Sequence, residues 1–370
     1  MAAITRTKRE SGSSRKKLTG LFVGVITVVA LLILVISNDN GESSPVSVGG
    51  ADSLASLSWS SIIDFHINDT CNILPTVRSS GSYFLDSEIN VGVSPDGLTP
   101  AFKVGSYYGE KIKYHMQTDI SNFHLVKDLL KGKEGGLVLD IGANQGFYTY
   151  YLASLGMQVH AFEINEKNFK ALQHGAEYNP REVADRVNLY PVGLGEKNAR
   201  FDLKGSNYEG FLNKGKGGSI LGVSLDCFAH HVRGNLDLSN VAFVKLDVEG
   251  FEIAVLNGGR NSLFKKGYSN MGGMIMEVGP NRWSRAQIDF ATGAEEMRNL
   301  STLFKESHVL LRSKSHAQSC PLSIGDILKD KKPREIDGGV QMFNVQIDEW
   351  EPLLSKMEKA GFDCNFFYNN

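Results

Sequence analysis

From Ser121 onward the chain alternates between two hydrophobic rhythms. "GLVLDIG" (136–142), "QVHAFEI" (158–164), "VNLYPVGL" (187–194), "VAFVKLDVEG" (241–250) and "GGMIMEVG" (272–279) are short apolar runs of the length of buried strands. Between them lie segments with apolar residues at helical spacing: "SNFHLVKDLLKG" (121–132), "QGFYTYYLASLG" (145–156), Glu166 to about Tyr178, and "FEIAVLNGG" (251–259). "SILGVSLDCFAHHV" (219–232) reads as a strand running into a short helix, and the final 30 residues as strand, helix and strand completing the sheet. Strands alternating with helices predict an α/β class with a parallel sheet covered on both faces. The glycine-rich run 205–219 and the segment beyond Trp283 lack a clear period and read as lids over a site.

The N-terminus carries a different pattern. Leu18–Ser37 is a run of 20 residues without a charge, the length that crosses a bilayer. Arg6, Lys8, Arg9, Arg15, Lys16 and Lys17 precede it, and no further Lys or Arg appears until Arg78. That asymmetry predicts a cytoplasmic tail (1–17), a single-pass signal anchor (18–37), and a translocated body behind a Ser/Gly-rich stem (38–60). A cleaved signal peptide is the competing reading, although its apolar region usually spans only about 7–15 residues. Residues 61–118 form an accessory segment of turns and short strands, and the main domain runs over 119–370.

Composition changes this picture little. A formal charge of −2 gives no basic surface for nucleic acid. Cys71, Cys227, Cys320 and Cys364 all follow the apolar run and match no metal-ligand spacing, so the residues predict no metal. In an oxidising lumen they allow up to two disulfides; buried free thiols are the alternative. The same placement makes two sequons usable, at Asn68 and Asn299.

The chemistry begins at "DIGANQG" (140–146), a strand that stops on an acid and turns on glycine. A pyrophosphate turn needs G-x-G-x-x-G, whereas this one has only Gly142 and Gly146, with Ala143 between them. Asp140 would repel a phosphate and attract a cation. S-adenosylmethionine, which bears a sulfonium and an ammonium and no phosphate, fits Asp140, Gly142, Asn144 and Gly146. Glu163, at the end of the second strand, is placed to accept hydrogen bonds from ribose hydroxyls.

The segment "VLDIGANQGFYTYYLASLGMQVHAFE" resembles the first motif and second strand of class I S-adenosylmethionine-dependent methyltransferases. "SILGVSLDCF", "FVKLDVEGFEIAVLNGG" and "MIMEVGP" are similar, in order, to the signatures of the FkbM family. The resemblance covers about 120–283. It implies a Rossmann-like, seven-stranded domain that methylates hydroxyl groups of sugars and other small molecules.

A second acidic cluster, Asp247, Glu249 and Glu252, ends the fourth strand, where open α/β sheets bind their ligands. Methyl transfer to an alcohol needs a group that takes the hydroxyl proton. Asp247 is the first candidate, Glu249 the second, and Glu277 the third. Glu252 reads equally as a helix-terminal charge. His230 and His231 are weaker candidates, and His160 reads as a satisfied strand residue. The sum predicts a secretory-pathway enzyme, in the Golgi or endoplasmic reticulum, that methylates a glycan or small-molecule hydroxyl. Two alternatives stand beside it: a metal-dependent glycosyltransferase using Asp247-Val248-Glu249, and a cofactor-binding protein without turnover.

Overall fold

The computed structural model describes residues 77–78, 88–205, 210–213, 220–231, 236–264, 271–312, 320–328, 331–336 and 339–370. The apolar run Leu18–Ser37, the 38–60 stem, Asn68 and Cys71 lie outside these residues. Among the described residues no helix is long and apolar enough to cross a membrane.

Ten strands form the main sheet: β1 (Val77–Arg78), β2 (Leu137–Ile141), β3 (Gln158–Phe162), β4 (Val187–Tyr190), β5 (Phe243–Leu246), β6 (Gly273–Val278), β7 (Glu306–Arg312), β8 (Arg334–Ile336), β9 (Val340–Asn344) and β10 (Cys364–Asn369). Their order is β1-β4-β3-β2-β5-β6-β10-β7-β9-β8. The central five, β4 to β6, are parallel, and β10 lies antiparallel between β6 and β7. The Rossmann-like α/β fold is therefore present with a mixed sheet. The sheet is wider than the expected seven strands because β9 and β8 extend it past β7, and β1 adds the opposite edge.

The helices are α1 (Ile112–Thr118), α2 (Ile120–Leu130), α3 (Phe147–Ser154), α4 (Glu166–Tyr178), α5 (Leu225–His231), α6 (Glu252–Gly258), α7 (Phe290–Ser301) and α8 (Trp350–Ala360), besides shorter turns. Strand alternation divides the core. Val138 and Val159 face a cluster with Phe123 of α2, Tyr151 of α3 and Phe169 of α4. Leu139 and Ile141 face the other cluster, with Val255 of α6, Met297 of α7 and Trp350 of α8. Asn165 caps α4 by accepting from the backbone N–H groups of Lys167 and Asn168, which typically contributes about 1 kcal/mol.

Two expectations need correction. The run "VNLYPVGL" is not one strand, because Pro191 lacks the N–H a ladder needs. β4 ends at Tyr190, and Gly193–Gly195 joins Ile220–Ser224, Ala199–Gly205 and Gly210–Asn213 in a separate four-stranded sheet. The segment beyond Trp283 is not a loose lid. Trp283 is 1% exposed, and α7 and β7 follow it, with Ala294, Met297 and Leu300 buried on one helix face. Most of the glycine-rich run 205–219 lies outside the described residues.

Cys320 and Cys364 form a disulfide that anchors the start of β10 across a separation of 44 residues. A loop of that length corresponds to about 4 kcal/mol in the chain-entropy account. No free cysteine remains among the described residues.

Candidate active site

The carboxyl ends of β2, β3 and β5 open into a cleft of about 660 Å³. Its wall includes Gly142, Asn144, Phe162, Glu163, Asn168, Asp247 and Glu249. A cleft in this position, beyond the carboxyl ends of parallel strands, is where open α/β sheets bind their ligands.

The turn after β2 is closed by its own backbone. The N–H groups of Gly142 and Ala143 both donate to the Phe162 carbonyl, at 3.0 and 2.9 Å. The Asn144 N–H donates to Glu163 Oε2 at 2.7 Å, and the Gly146 N–H to the Ala143 carbonyl at 2.9 Å. A phosphate cradle offers such amides to its ligand. Here they are already engaged, so the turn does not present the nest a pyrophosphate requires. Gly142 is obligatory for another reason. At φ 80° it lies against the Asp247 carbonyl oxygen, which an added Cβ would overlap.

Glu163 is 6% exposed, and its carboxylate is fixed at both oxygens. Oε2 accepts from Asn144 and Oε1 from the Asn165 N–H, each at 2.7 Å. Each oxygen keeps a lone pair for a further donor. Burial pushes its pKa up to about 7, against the lowering effect of those amides. Asn144 is held at φ 51°, and its side-chain Oδ1 is buried without a hydrogen-bond partner. Such an orphan acceptor on a cleft wall fits a ligand N–H or O–H. Glu163 and Asn144 therefore suit the ribose and polar groups of S-adenosylmethionine.

Two sequence-predicted cofactor residues are placed differently from expectation. Asp140 does not line the cleft. It is fully buried behind the turn, accepting from Thr149 Oγ1 at 2.5 Å, with Oδ1 4.0 Å from Lys245 Nζ. The β2–β5 register sets Asp140 directly beside Lys245, so a side chain of the protein supplies its cation. Burial still raises the Asp140 pKa. Gly146 also faces inward: a Cβ there would lie 2.7 Å from Leu172 and 2.8 Å from Tyr150. It begins α3 and lets α4 approach; it does not touch the cleft.

At the other wall, Asp247 and Glu249 line the cleft, and Glu277, which does not line it, brings a carboxylate oxygen within 4.8 Å of theirs. Asp247 has a side chain 37% exposed, with Oδ2 3.3 Å from Lys245 Nζ. Lys245 also donates to the Gly142 carbonyl at 2.6 Å. Burial opposes its ammonium, but Asp247 and Asp140 outweigh that and hold its pKa above the ordinary range. Glu249, at φ 60°, pairs with Arg282 and, at 3.3 Å, with Arg285, whose Nη1 also donates to the Glu249 carbonyl at 2.8 Å. Arg282 reaches on to Glu277 at 3.6 Å and to Asp363. Burial, then the Asp247 and Glu249 carboxylates, push the Glu277 pKa well above its usual range.

Glu252 is removed from the chemistry. It is 2% exposed and accepts from the Val248 and Gly250 N–H groups at 3.1 and 3.0 Å, ordering the loop before α6. His160 is satisfied by the Tyr190 hydroxyl at 2.8 Å, and burial lowers its pKa to about 4. His230 is exposed on α5 and does not line the cleft. Sequence reading missed Lys245, Asn168, Arg282, Arg285 and Asp363. Lys245 lay inside the quoted "FVKLDVEG", where a lysine in a buried strand between two acids is itself a signal. The arginines and Asp363 lie outside any periodic motif near the cleft.

Residues 140–313 match the family described as the methyltransferase FkbM domain. No curated protein is significantly similar to the chain. Among solved structures, the chain is similar to a SAM-dependent methyltransferase from Agrobacterium tumefaciens, at 9% identity and TM-score 0.38 over 77% of this chain and 71% of that one. It is also similar to a SAM-dependent O-methyltransferase from Thermotoga maritima (13% identity, TM-score 0.34, 72% and 74% covered). A third is precorrin-6y C5,15-methyltransferase from Geobacter metallireducens (10%, 0.30, 67% and 86%). The segment beginning at the Asp140 turn and running through β7 thus belongs to the FkbM family of class I methyltransferases, whose methyl donor is S-adenosylmethionine.

Proposed function

We propose that this methyltransferase transfers its methyl group to a hydroxyl of a sugar or glycan within the secretory pathway. The observation that carries the reading is the carboxylate group at the acceptor wall. Asp247 is presented to the cleft, Glu277 lies within 4.8 Å of it, and Glu277 has a raised pKa. S-adenosylmethionine, when bound, supplies an electrophilic methyl on a sulfonium. Glu163 and Asn144 hold its ribose and polar edge, and the engaged amides of the turn leave no competing phosphate site. An alcohol must lose its proton as its oxygen bonds the methyl carbon and the S–C bond breaks to leave the thioether, and the Asp247–Glu277 pair would receive that proton. Burial and the neighbouring carboxylates of Asp247 and Glu249 favour the protonated form of Glu277. Lys245 positions Asp247 and joins it to the Gly142 turn, so the proton acceptor is fixed relative to the cofactor wall.

The cellular placement is supported by the basic tail before Leu18–Ser37 and by the Cys320–Cys364 disulfide, since stable disulfides belong to oxidising compartments. The pairing of Glu249 with Arg282 and Arg285 weighs against a metal-gripping Asp247-x-Glu249 site in a glycosyltransferase.

The test is titration of the full-length protein with S-adenosylhomocysteine, followed by incubation with labelled S-adenosylmethionine and a panel of glycans. Label on a glycan oxygen, abolished by Asp247→Asn, is the expected result. Label confined to nitrogen, lipid or protein acceptors would reject the acceptor class. Binding without turnover on every acceptor would favour the catalytically silent alternative.

A further inference from the structure

Away from the catalytic cleft, a second groove of about 890 Å³ lies between α6, the turn after it, and α7. Leu256, Phe264, Met297 and Leu300 form an apolar floor, each under a tenth exposed. One rim is polar: Arg260 donates to Glu296 at 2.5 Å and to Asn257 at 2.9 Å. The other rim carries Asn299, which is exposed and is the acceptor of the sequon Asn299-Leu300-Ser301. Glu296, Asn299, Leu300 and Leu303 recur at helical i, i+3, i+4, i+7 spacing, so the sequon asparagine stands on the stripe that faces the groove.

We propose that Asn299 is N-glycosylated and that its first N-acetylglucosamine lies in this groove. This rests on the lumenal placement proposed above. The sugar's chemistry matches the walls. Its C–H face and acetamido methyl suit the leucine, phenylalanine and methionine floor, while its hydroxyls meet the Arg260–Glu296–Asn257 rim. The reaction precedes folding of α7, because the asparagine must reach the transferase in extended chain. A polyisoprenyl-pyrophosphate oligosaccharide is the co-reactant. The Asn299 amide nitrogen forms a bond to the anomeric carbon and loses a proton, while the C–O bond breaks and the pyrophosphate leaves with the electron pair.

The full chain is produced in cultured eukaryotic cells and treated with an N-glycosidase. Glycan mapping is carried out on the native protein and on Asn68→Gln, Asn299→Gln, Ser301→Ala and Ser301→Thr. The expected result is a glycan that persists in Asn68→Gln, is lost in Asn299→Gln and Ser301→Ala, and returns in Ser301→Thr. Trimming to a single N-acetylglucosamine should leave the unfolding midpoint unchanged, and its absence should lower it by about 2–4 °C. A glycan on Asn68 alone overturns the inference but leaves the lumenal placement standing. No glycan on either site, with the body accessible to cytosolic protease, removes both. A glycan on Asn299 whose removal does not shift the midpoint overturns its seating in the groove.

Discussion

The two walls of the cleft hold their acids by opposite means. At the β2–β3 wall, Glu163 is 6% exposed and fixed by two backbone N–H groups, and Asp140 behind it is wholly buried. At the β5–β6 wall, Asp247, Glu249 and Glu277 keep between 28% and 37% of their side chains exposed and are balanced by Lys245, Arg282 and Arg285. Backbone amides cannot be displaced or titrated, whereas a side-chain ion pair can exchange partners and protons. The first wall is thus suited to holding a ligand in one geometry, and the second to changing charge during a reaction. Lys245 contacts both, through Asp140 and the Gly142 carbonyl on one side and Asp247 on the other.

The severest way to break this arrangement is to force the walls apart. Gly142→Ala would place a Cβ on the Asp247 carbonyl oxygen in a backbone conformation unfavourable to alanine. Strain and overlap together should cost on the order of 4 kcal/mol. Thermal unfolding should show the loss, and S-adenosylhomocysteine binding should fall with it. An alanine variant of native stability would show that the turn has room to move. Next in size is Lys245→Met, which keeps the volume and leaves Asp140 buried beside no cation. Removing one partner of a buried pair typically costs about 3–5 kcal/mol. Denaturant unfolding at pH 7 measures it, and the deficit should shrink in acid as Asp140 is protonated.

The cofactor wall alone is tested by Glu163. Its raised pKa means that the folded, unliganded protein binds a proton that the unfolded chain has released. Its contribution to stability is therefore present below the ordinary glutamate pKa and is lost as pH rises toward about 7. Ligand ribose donors favour the anion, so affinity should rise across the same interval. Glu163→Gln should flatten both slopes, leaving the similar stability share of Glu252, whose pKa burial also raises to about 7. Glu163→Ala should weaken S-adenosylhomocysteine binding roughly 10–100-fold, the range for losing hydrogen bonds to a charged group. Unchanged affinity in both variants would remove Glu163 from the cofactor site.

What the sequence revealed follows the same division. Glu163 was readable because a strand end fixes where a carboxylate points, whatever the rest of the fold does. Gly142 was readable as a turn, but its partner, the Asp247 carbonyl, lies over a hundred positions away and has no side-chain signal. The contiguity of the motif assigns Gly146 and Asp140 to the cleft. Contiguous residues nonetheless alternate sides, and these two turn toward Leu172 and Thr149. Arg282 and Arg285 sit in a 3-10 turn after β6, and Asp363 precedes β10, the strand paired with β6. Only the closed sheet brings these three together, so no local pattern announces them. The widened sheet was missed for a related reason: β8 is three residues long and gains its pairing from β9.

The smallest effect is also the one that separates the acceptor-wall acids. Burial and the Asp247 carboxylate raise the Glu249 pKa, while Arg282 and Arg285 oppose them. Arg285 meets Glu249 from a side chain 26% exposed and opposes the raising of its pKa, so its loss should move that acid further upward. Arg285→Met should leave S-adenosylhomocysteine affinity and the Asp140–Lys245 contact intact. If Glu249 itself takes the proton, the acidic limb of the kcat profile should move to higher pH. If the Asp247–Glu277 pair takes it, the limb should stay within about 0.3 units of its original position, since Arg285 contributes to Glu249 and Asp363 but is not among the principal charges acting on Glu277. A stationary limb, with turnover reduced less than threefold at its plateau, assigns Glu249 to holding the Arg282 turn and leaves proton transfer to its two neighbours.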